Sequence, residues 1–255
     1  MAGNSGERGQ SVSSRLLRIV DAFDQDAPEL SLVEIGRRTG LPAATLHRLL
    51  GELVRHGAIE RTGPGRYTVG VRMWEIGKLA PRVSRVDEVS IPYLADLYEA
   101  THGTLHLAVR RDREALCVKV IGDHHPVPPM LRAGARVPLT CPGVGEVLLA
   151  HAAPDVIELV LAGYAQSNEI RQQLAEIRRC GLAETRNAGS LLIAAPLYGA
   201  PGRVVAALSV AMRSSDASRV PRLLVRLTAD RISRELGGQT DLPLSEPGGG
   251  TNGHG

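Results

Sequence analysis

The sequence predicts an α+β chain of two domains, a small helical one closed by a β-hairpin and a larger one built on an antiparallel sheet. Three observations carry this. Two short amphipathic segments lie on either side of Gly40, between Ser31 and Gly57. Two alternating runs then bracket Thr62-Gly63-Pro64-Gly65-Arg66. Beyond about Val83, apolar strand segments and helices follow one another without strict alternation.

The elements follow in order. Residues 1–10 are a polar tail, expected to be disordered. From Ser13, the positions Leu16, Leu17, Ile19, Val20 and Phe23 fit a helix, and residues 25–29 read as a loop. Ser31 is a good N-cap, with Glu34 three residues on to close a capping box. That helix ends near Thr39, Gly40 permits a sharp turn, and Leu41-Pro42 restarts the chain. Leu46, Leu49, Leu50, Leu53 and Val54 line one side of the next helix, which stops at Gly57. Two such helices form either a helix-turn-helix or an ordinary antiparallel pair. The hairpin Ile59–Arg61 with Tyr67–Val69 favours the first, because a hairpin in that place is a wing.

Charge points the same way. Between Ser31 and Arg72 there are seven arginines against three glutamates, while the whole chain is only +3. Positive charge concentrated on a helix pair with a wing implies a nucleic-acid surface. The domain is expected over residues 11–70, with a linker helix over 71–82 carrying Trp74, read as a packing residue.

The larger domain is expected over residues 83–238. Its elements are a helix from Pro92 to Thr101, strands at 104–109 and 115–121, and a short strand at 130–133. Helical stretches follow at 144–151, 156–162 and 168–179, then strands at 191–197 and 204–212 and a helix at 219–236. Residues 239–255, rich in Gly and Pro, read as a second disordered tail.

Composition narrows the class. At 43% hydrophobic, the chain can build real cores, and no run approaches a membrane span. No apolar signal core opens the sequence, so export is not expected. Three cysteines (117, 141, 180) without paired spacing suggest a reducing cytoplasm and neither a disulfide framework nor a zinc site. His124-His125 lacks carboxylate or thiolate neighbours and reads as an exposed turn.

With these residues placed, the chain resembles the IclR family of bacterial transcriptional regulators over nearly its whole length. The resemblance rests on LVEIGRRTGLPAATLHRLLGELVRHGAIER, then LHLAV (105–109), RAGARVPLTCPGVGEVLLA (132–150) and GRVVAALSVA (202–211). It implies a cytoplasmic homodimer or homotetramer binding a palindromic double-stranded DNA operator, with a GAF-like effector domain sensing a small molecule. Repression is the expected sign, and no cofactor, metal or catalytic residue is implied. The sequence departs from the family at Ala43-Ala44, where many relatives have a polar or basic pair. It departs again at Thr140–Glu146, where the family usually shows His, a small residue, Thr or Ser, then Gly-Lys. Between Gly181 and Leu192 the connection is about three residues shorter than usual and carries Glu184-Thr185-Arg186-Asn187.

Candidate residues follow. Thr45, His47 and Arg48 sit near the start of the second helix, the part that enters a major groove, or else form a solvated face. Arg61 and Arg66 on the wing, and Arg37 and Arg38 on the first helix, are candidate backbone contacts. Gly143, Val144 and Gly145 offer backbone N–H groups for a carboxylate effector, or else reflect tight packing. The resemblance adds Met130, Thr140, Cys141, Leu192, Ala194, Ser209 and Ala211 to that effector site. Cys141 before a helix also admits an enzymatic alternative, a Cys141-dependent hydrolase with an accessory DNA-binding module. A third reading makes the larger domain a pure dimerisation module.

Overall fold

The computed structural model describes residues 11–24, 26–122, 131–187, 189–213 and 222–237. They form two compact units, divided between Pro81 and Arg82.

In the first unit, α1 (Val12–Val20) precedes β1 (Glu29–Ser31), α2 (Leu32–Thr39) and α3 (Ala43–Arg55). The wing, β2 (Ile59–Gly63) and β3 (Arg66–Val69), and α4 (Val71–Lys78) complete it. The Ser31 hydroxyl accepts the Glu34 N–H at 3.3 Å, and the Glu34 carboxylate accepts the Ser31 N–H at 2.7 Å, so the expected capping box is formed. Gly40 takes the left-handed conformation, φ +67°, that ends α2 and turns the chain into α3. Ile19, Leu30, Ile35, Leu46, Leu49, Leu50, Ile59 and Tyr67 meet in one core. β1 falls where the sequence reads as loop. It pairs Glu29 with Thr68 and Ser31 with Arg66, making the wing a three-stranded sheet of order β1-β3-β2. Three residues are too short for a period-two signal, and only the β3 edge defines the strand.

Gly70 fixes how the wing meets the end of α3. Its N–H donates to the Ala58 carbonyl at 2.9 Å. A Cβ there would fall 2.0 Å from the Gly57 oxygen. Trp74, expected to pack, is instead 65% exposed, with the Lys78 ammonium 6.0 Å from its ring.

The second unit opens on α5 (Pro81–Thr101), then β4 (Thr104–Arg111), β5 (Glu114–Ile121) and β6 (Arg136–Pro138). Next come α6 (Val144–Ala150), α7 (Pro154–Leu161), α8 (Ser167–Cys180), β7 (Ala183–Asn187), β8 (Ser190–Gly199), β9 (Arg203–Arg213) and α9 (Arg222–Glu235). The six strands form an antiparallel sheet of order β6-β5-β4-β9-β8-β7. Leu105, Leu107, Ile193, Leu208 and Val210 pack on one face against Leu94 and Leu97 of α5 and Val225 and Ile232 of α9. Ala108, Ala194 and Ala207 pack on the other against Val144, Val147 and Leu148 of α6.

Three expectations are corrected. The helix does not start at Pro92 but at Pro81, and Pro92 lies inside it. Burial of Val86 ahead of that proline and of Leu94 and Leu97 after it outweighs the lost N–H. The third strand is at 136–138 rather than 130–133; Leu131 is buried as a core side chain, and Met130 lies outside the described residues. Ala183–Asn187 is an edge strand where the sequence suggests a plain connection.

Gly70→Ala should destabilise the first unit by about 1–3 kcal/mol through overpacking. Gly63→Ala, with nothing within 4 Å of the new Cβ, should stay within about 0.5 kcal/mol of the parent. Chemical denaturation of the two variants checks the contrast.

Candidate nucleic-acid interface and effector face

The apolar side of α3 is fully committed to the core, with Leu46, Leu49 and Leu50 no more than 1% exposed. The same helical period turns Ala43, Ala44, His47 and Arg48 outward, while Thr45 is half-buried. Exposed methyl groups at 43 and 44 leave the polar reading edge to Thr45, His47 and Arg48.

The arginines divide into two sets. Arg38 donates to the Ala22 carbonyl at 2.7 Å and to the Asp24 carboxylate at 2.6 Å, tying α2 to the end of α1. Arg66 is drawn onto Glu29 at 2.5 Å, and Thr62 donates to the same carboxylate at 2.8 Å. These contacts, that of Thr62 first, hold the Glu29 carboxyl below its ordinary range. Arg55 pairs with Glu52 and Arg72 with Glu75. Four of the seven arginines between Ser31 and Arg72 therefore have carboxylate partners, and the local excess of charge is smaller than the sequence suggests. Arg37, Arg48 and Arg61 are exposed and carry no salt bridge among the described residues. Arg61 lies 5.7 Å from the Tyr67 ring, which aims it along the wing.

In the second unit, cross-strand register places most of the expected effector residues on one face of the sheet. Ala194 faces Ser209, and Leu192 faces Ala211. Gly143, at φ +83°, brings the start of α6 onto this face, since a Cβ there would sit 2.6 Å from Leu192 Cδ2. Cys141 packs against the same core. Two residues not singled out by the sequence join them, Thr104 and His106, opposite Ala211 and Ser209. His106 is 1% exposed, and its Nδ1 is 3.3 Å from the Ser209 hydroxyl. Alternation along LHLAV puts His106 on the opposite face from Leu105 and Leu107, but only pairing with β9 reveals its neighbours.

Two positions have further contacts. The Thr140 hydroxyl is 3.1 Å from that of Tyr164, and both line a cleft of about 590 Å³ together with Arg113 and Leu159. The backbone of Gly143–Gly145 is also less open than its glycines suggest. The Gly143 N–H already donates to the Glu146 carboxylate at 3.2 Å, and a Cβ on Gly145 would lie 2.9 Å from the Pro138 oxygen. Tight packing accounts for Gly145.

Burial raises the Cys141 thiol, and the Glu146 carboxylate raises it further, the reverse of what an activated nucleophile requires. Glu146 is itself raised by burial, against the opposing hydrogen bonds from Gly143 and Gln173.

A winged helix-turn-helix joined to a sensor-like α+β sheet domain defines a transcriptional regulator with a separate regulatory domain. The comparisons specify which kind. Residues 13–63 match the IclR helix-turn-helix domain and residues 82–234 match the bacterial transcriptional regulator IclR C-terminal domain. The chain belongs to the IclR family. It is 30% identical over 220 residues to the HTH-type transcriptional regulator XynR of Escherichia coli K12, covering 81% of this chain and 87% of that one. The DNA-binding transcriptional repressor YiaJ of the same organism is 29% identical, covering 87% and 85%. An IclR homolog from Microbacterium hydrocarbonoxydans, solved in complex with 4-hydroxybenzoate, superposes with a TM-score of 0.80 at 28% identity, covering 89% and 99%.

Because the folded state raises the Glu146 carboxyl, its ionisation works against stability as pH rises through that raised value. Glu146→Gln, which keeps an oxygen for Gly143, should therefore melt higher than the parent at pH 8, with the gap closing toward pH 4. Thermal unfolding across that range checks it.

Proposed function

We propose that the chain reads a double-stranded, palindromic operator through α3 and the wing, and that a small molecule on the α6 face of the sheet alters operator affinity. The observation that carries the DNA half is the outward placement of His47 and Arg48 on a helix whose other side is sealed into the core. Arg48 can contact guanine in bidentate fashion, Thr45 and His47 complete the reading edge, and Arg37 and Arg61 meet phosphates. Arg38 and Arg66 act mainly by fixing α2 and the wing, given their partners Asp24 and Glu29.

The effector half rests on Cys141, Gly143, Val144, Leu192, Ala194, Ser209 and Ala211 gathering at one face, and on the 4-hydroxybenzoate complex of the related homolog. A ligand shifts operator affinity only by favouring one arrangement of the protein over another. Repression is the proposed sign, supported by the repressor named among the relatives. Val71, Trp74, Ile76 and Leu79 on and beside α4 are exposed apolar side chains suited to burial against a second copy, which supports a homodimer or a dimer of dimers. A cytoplasmic, non-catalytic protein fits this reading, supported by the raised Cys141 thiol. No helix among the described residues is long and apolar enough to cross a membrane.

Fluorescence anisotropy against DNA upstream of the protein's own gene, with excess nonspecific competitor and at two salt concentrations, tests the reading. Specific binding should survive the competitor and weaken as salt rises. Arg48→Ala should cost about 1–3 kcal/mol and relax preference at one base position. Unchanged affinity and preference would remove α3 from the reading role. Trp74→Glu should shift the sedimenting species toward the single protomer, and an unchanged distribution would place the dimer contact elsewhere.

A further inference from the structure

α3 carries a glycine well inside the helix, Gly51, exposed like His47 and Arg48. Spacings of four and three residues put it one turn beyond that pair, on the same side. Glycine inside a helix weakens it relative to alanine, because the unfolded chain has more freedom to lose. Three circumstances require one: a left-handed backbone, a close neighbour within the protein, or a close neighbour outside it.

The first does not apply. Gly51 lies within α3 at negative φ, unlike Gly40 at +67° and Gly57 at +70°. Nor does the second, since a Cβ at Gly51 would meet no atom within 4 Å. At Gly36 in α2, by contrast, a Cβ would lie 3.5 Å from Leu46 Cδ2 of α3. What remains is an approach from outside, on a face whose charges favour an anionic surface. Arg48 is exposed and carries no salt bridge among the described residues, and the α3 carboxylate, Glu52, is engaged by Arg55 at 2.6 Å. Ala44, also exposed and short, lies seven residues before Gly51. Two turns of helix span about 10.5 Å, against roughly 12 Å for the width of a major groove. The long side chains of His47 and Arg48 project between those two short positions.

We propose that Gly51 is a positioning residue for operator recognition: a deoxyribose–phosphate strand at the edge of the major groove lies against the bare α3 backbone there. That contact sets how deeply the helix seats and brings Arg48 to the base edges. The inference rests on α3 being the reading helix. A side chain at position 51 lifts α3 away from the groove floor. Base contacts, which need a fixed distance, are then lost before the attraction to phosphates, so discrimination falls more than general affinity for DNA. Helix stability and recognition therefore respond in opposite directions to the same substitution.

Duplexes enriched by the full chain from a random-sequence library supply the operator. Fluorescence anisotropy compares them with a scrambled duplex of equal length. Gly51→Ala should raise the midpoint of chemical denaturation yet weaken operator binding about tenfold, with binding to the scrambled duplex changed by less than about twofold. Gly51→Leu, also a good helix former, should bind the operator more weakly still. In an Arg48→Ala background both substitutions should cost less than in the parent, because the contact they act through is already gone. Unchanged operator binding in Gly51→Leu, equal losses in the two variants, or full additivity with Arg48→Ala would overturn the role of Gly51 and leave α3 as the reading helix. A lowered denaturation midpoint in Gly51→Ala would place the need for glycine inside the protein and overturn it as well. If no sequence is enriched, or Arg48→Ala keeps full operator preference, the reading role of α3 and the role of Gly51 fall together.

Discussion

The sheet of the second unit is buried on both sides, and that constraint organises the rest. In β4, β8 and β9, successive residues must satisfy two different layers. Large side chains, Leu105, Leu107, Ile193, Leu208 and Val210, meet α5 and α9. Small ones, Ala108, Ala194 and Ala207, meet α6. Small residues let a short helix come close, and Gly143 and Gly145 continue that close approach on the helix side. The polar groups His106, Ser209 and Thr104 occur on this second side. They sit where a hydroxyl or imidazole must find partners within the protein or in a ligand.

The first unit solves a different problem, presenting a helix to solvent without letting it drift. α3 is held by its leucines, and the turn before it by Gly40. Two guanidinium groups fasten the supporting helix: Arg18 donates to the Thr39 carbonyl, and Arg38 to the Ala22 carbonyl and Asp24. Arg66 and Thr62 fasten the wing to β1 through Glu29. Much of the positive charge is thus spent on geometry, and the remainder points outward. A rigid platform with few unpaired cations suits recognition in which position, as well as charge, decides affinity.

Much of this architecture is legible in the residues. The capping box at Ser31 and Glu34, the left-handed Gly40 and the leucine spacing of α3 are local signals, and each forms as expected. The long apolar runs of β8 and β9 also declare themselves. Short edges do not. β1, β6 and β7 exist because a longer neighbour offers its free hydrogen-bonding groups, a fact absent from their own few residues. Pro92 misleads for a related reason, since the burial that carries α5 through it belongs to other elements.

The site divides along the same line. Sequence by itself determined the two-domain α+β class, the helix-turn-helix with its wing and the family, because caps, turns and hydrophobic period are properties of neighbouring residues. Tertiary structure decided which arginines are held by carboxylates, that Thr140 meets Tyr164, and that His106 meets Ser209 across 103 positions of chain. Those outcomes depend on strand register and on contacts between distant segments, and no local pattern of residues encodes them.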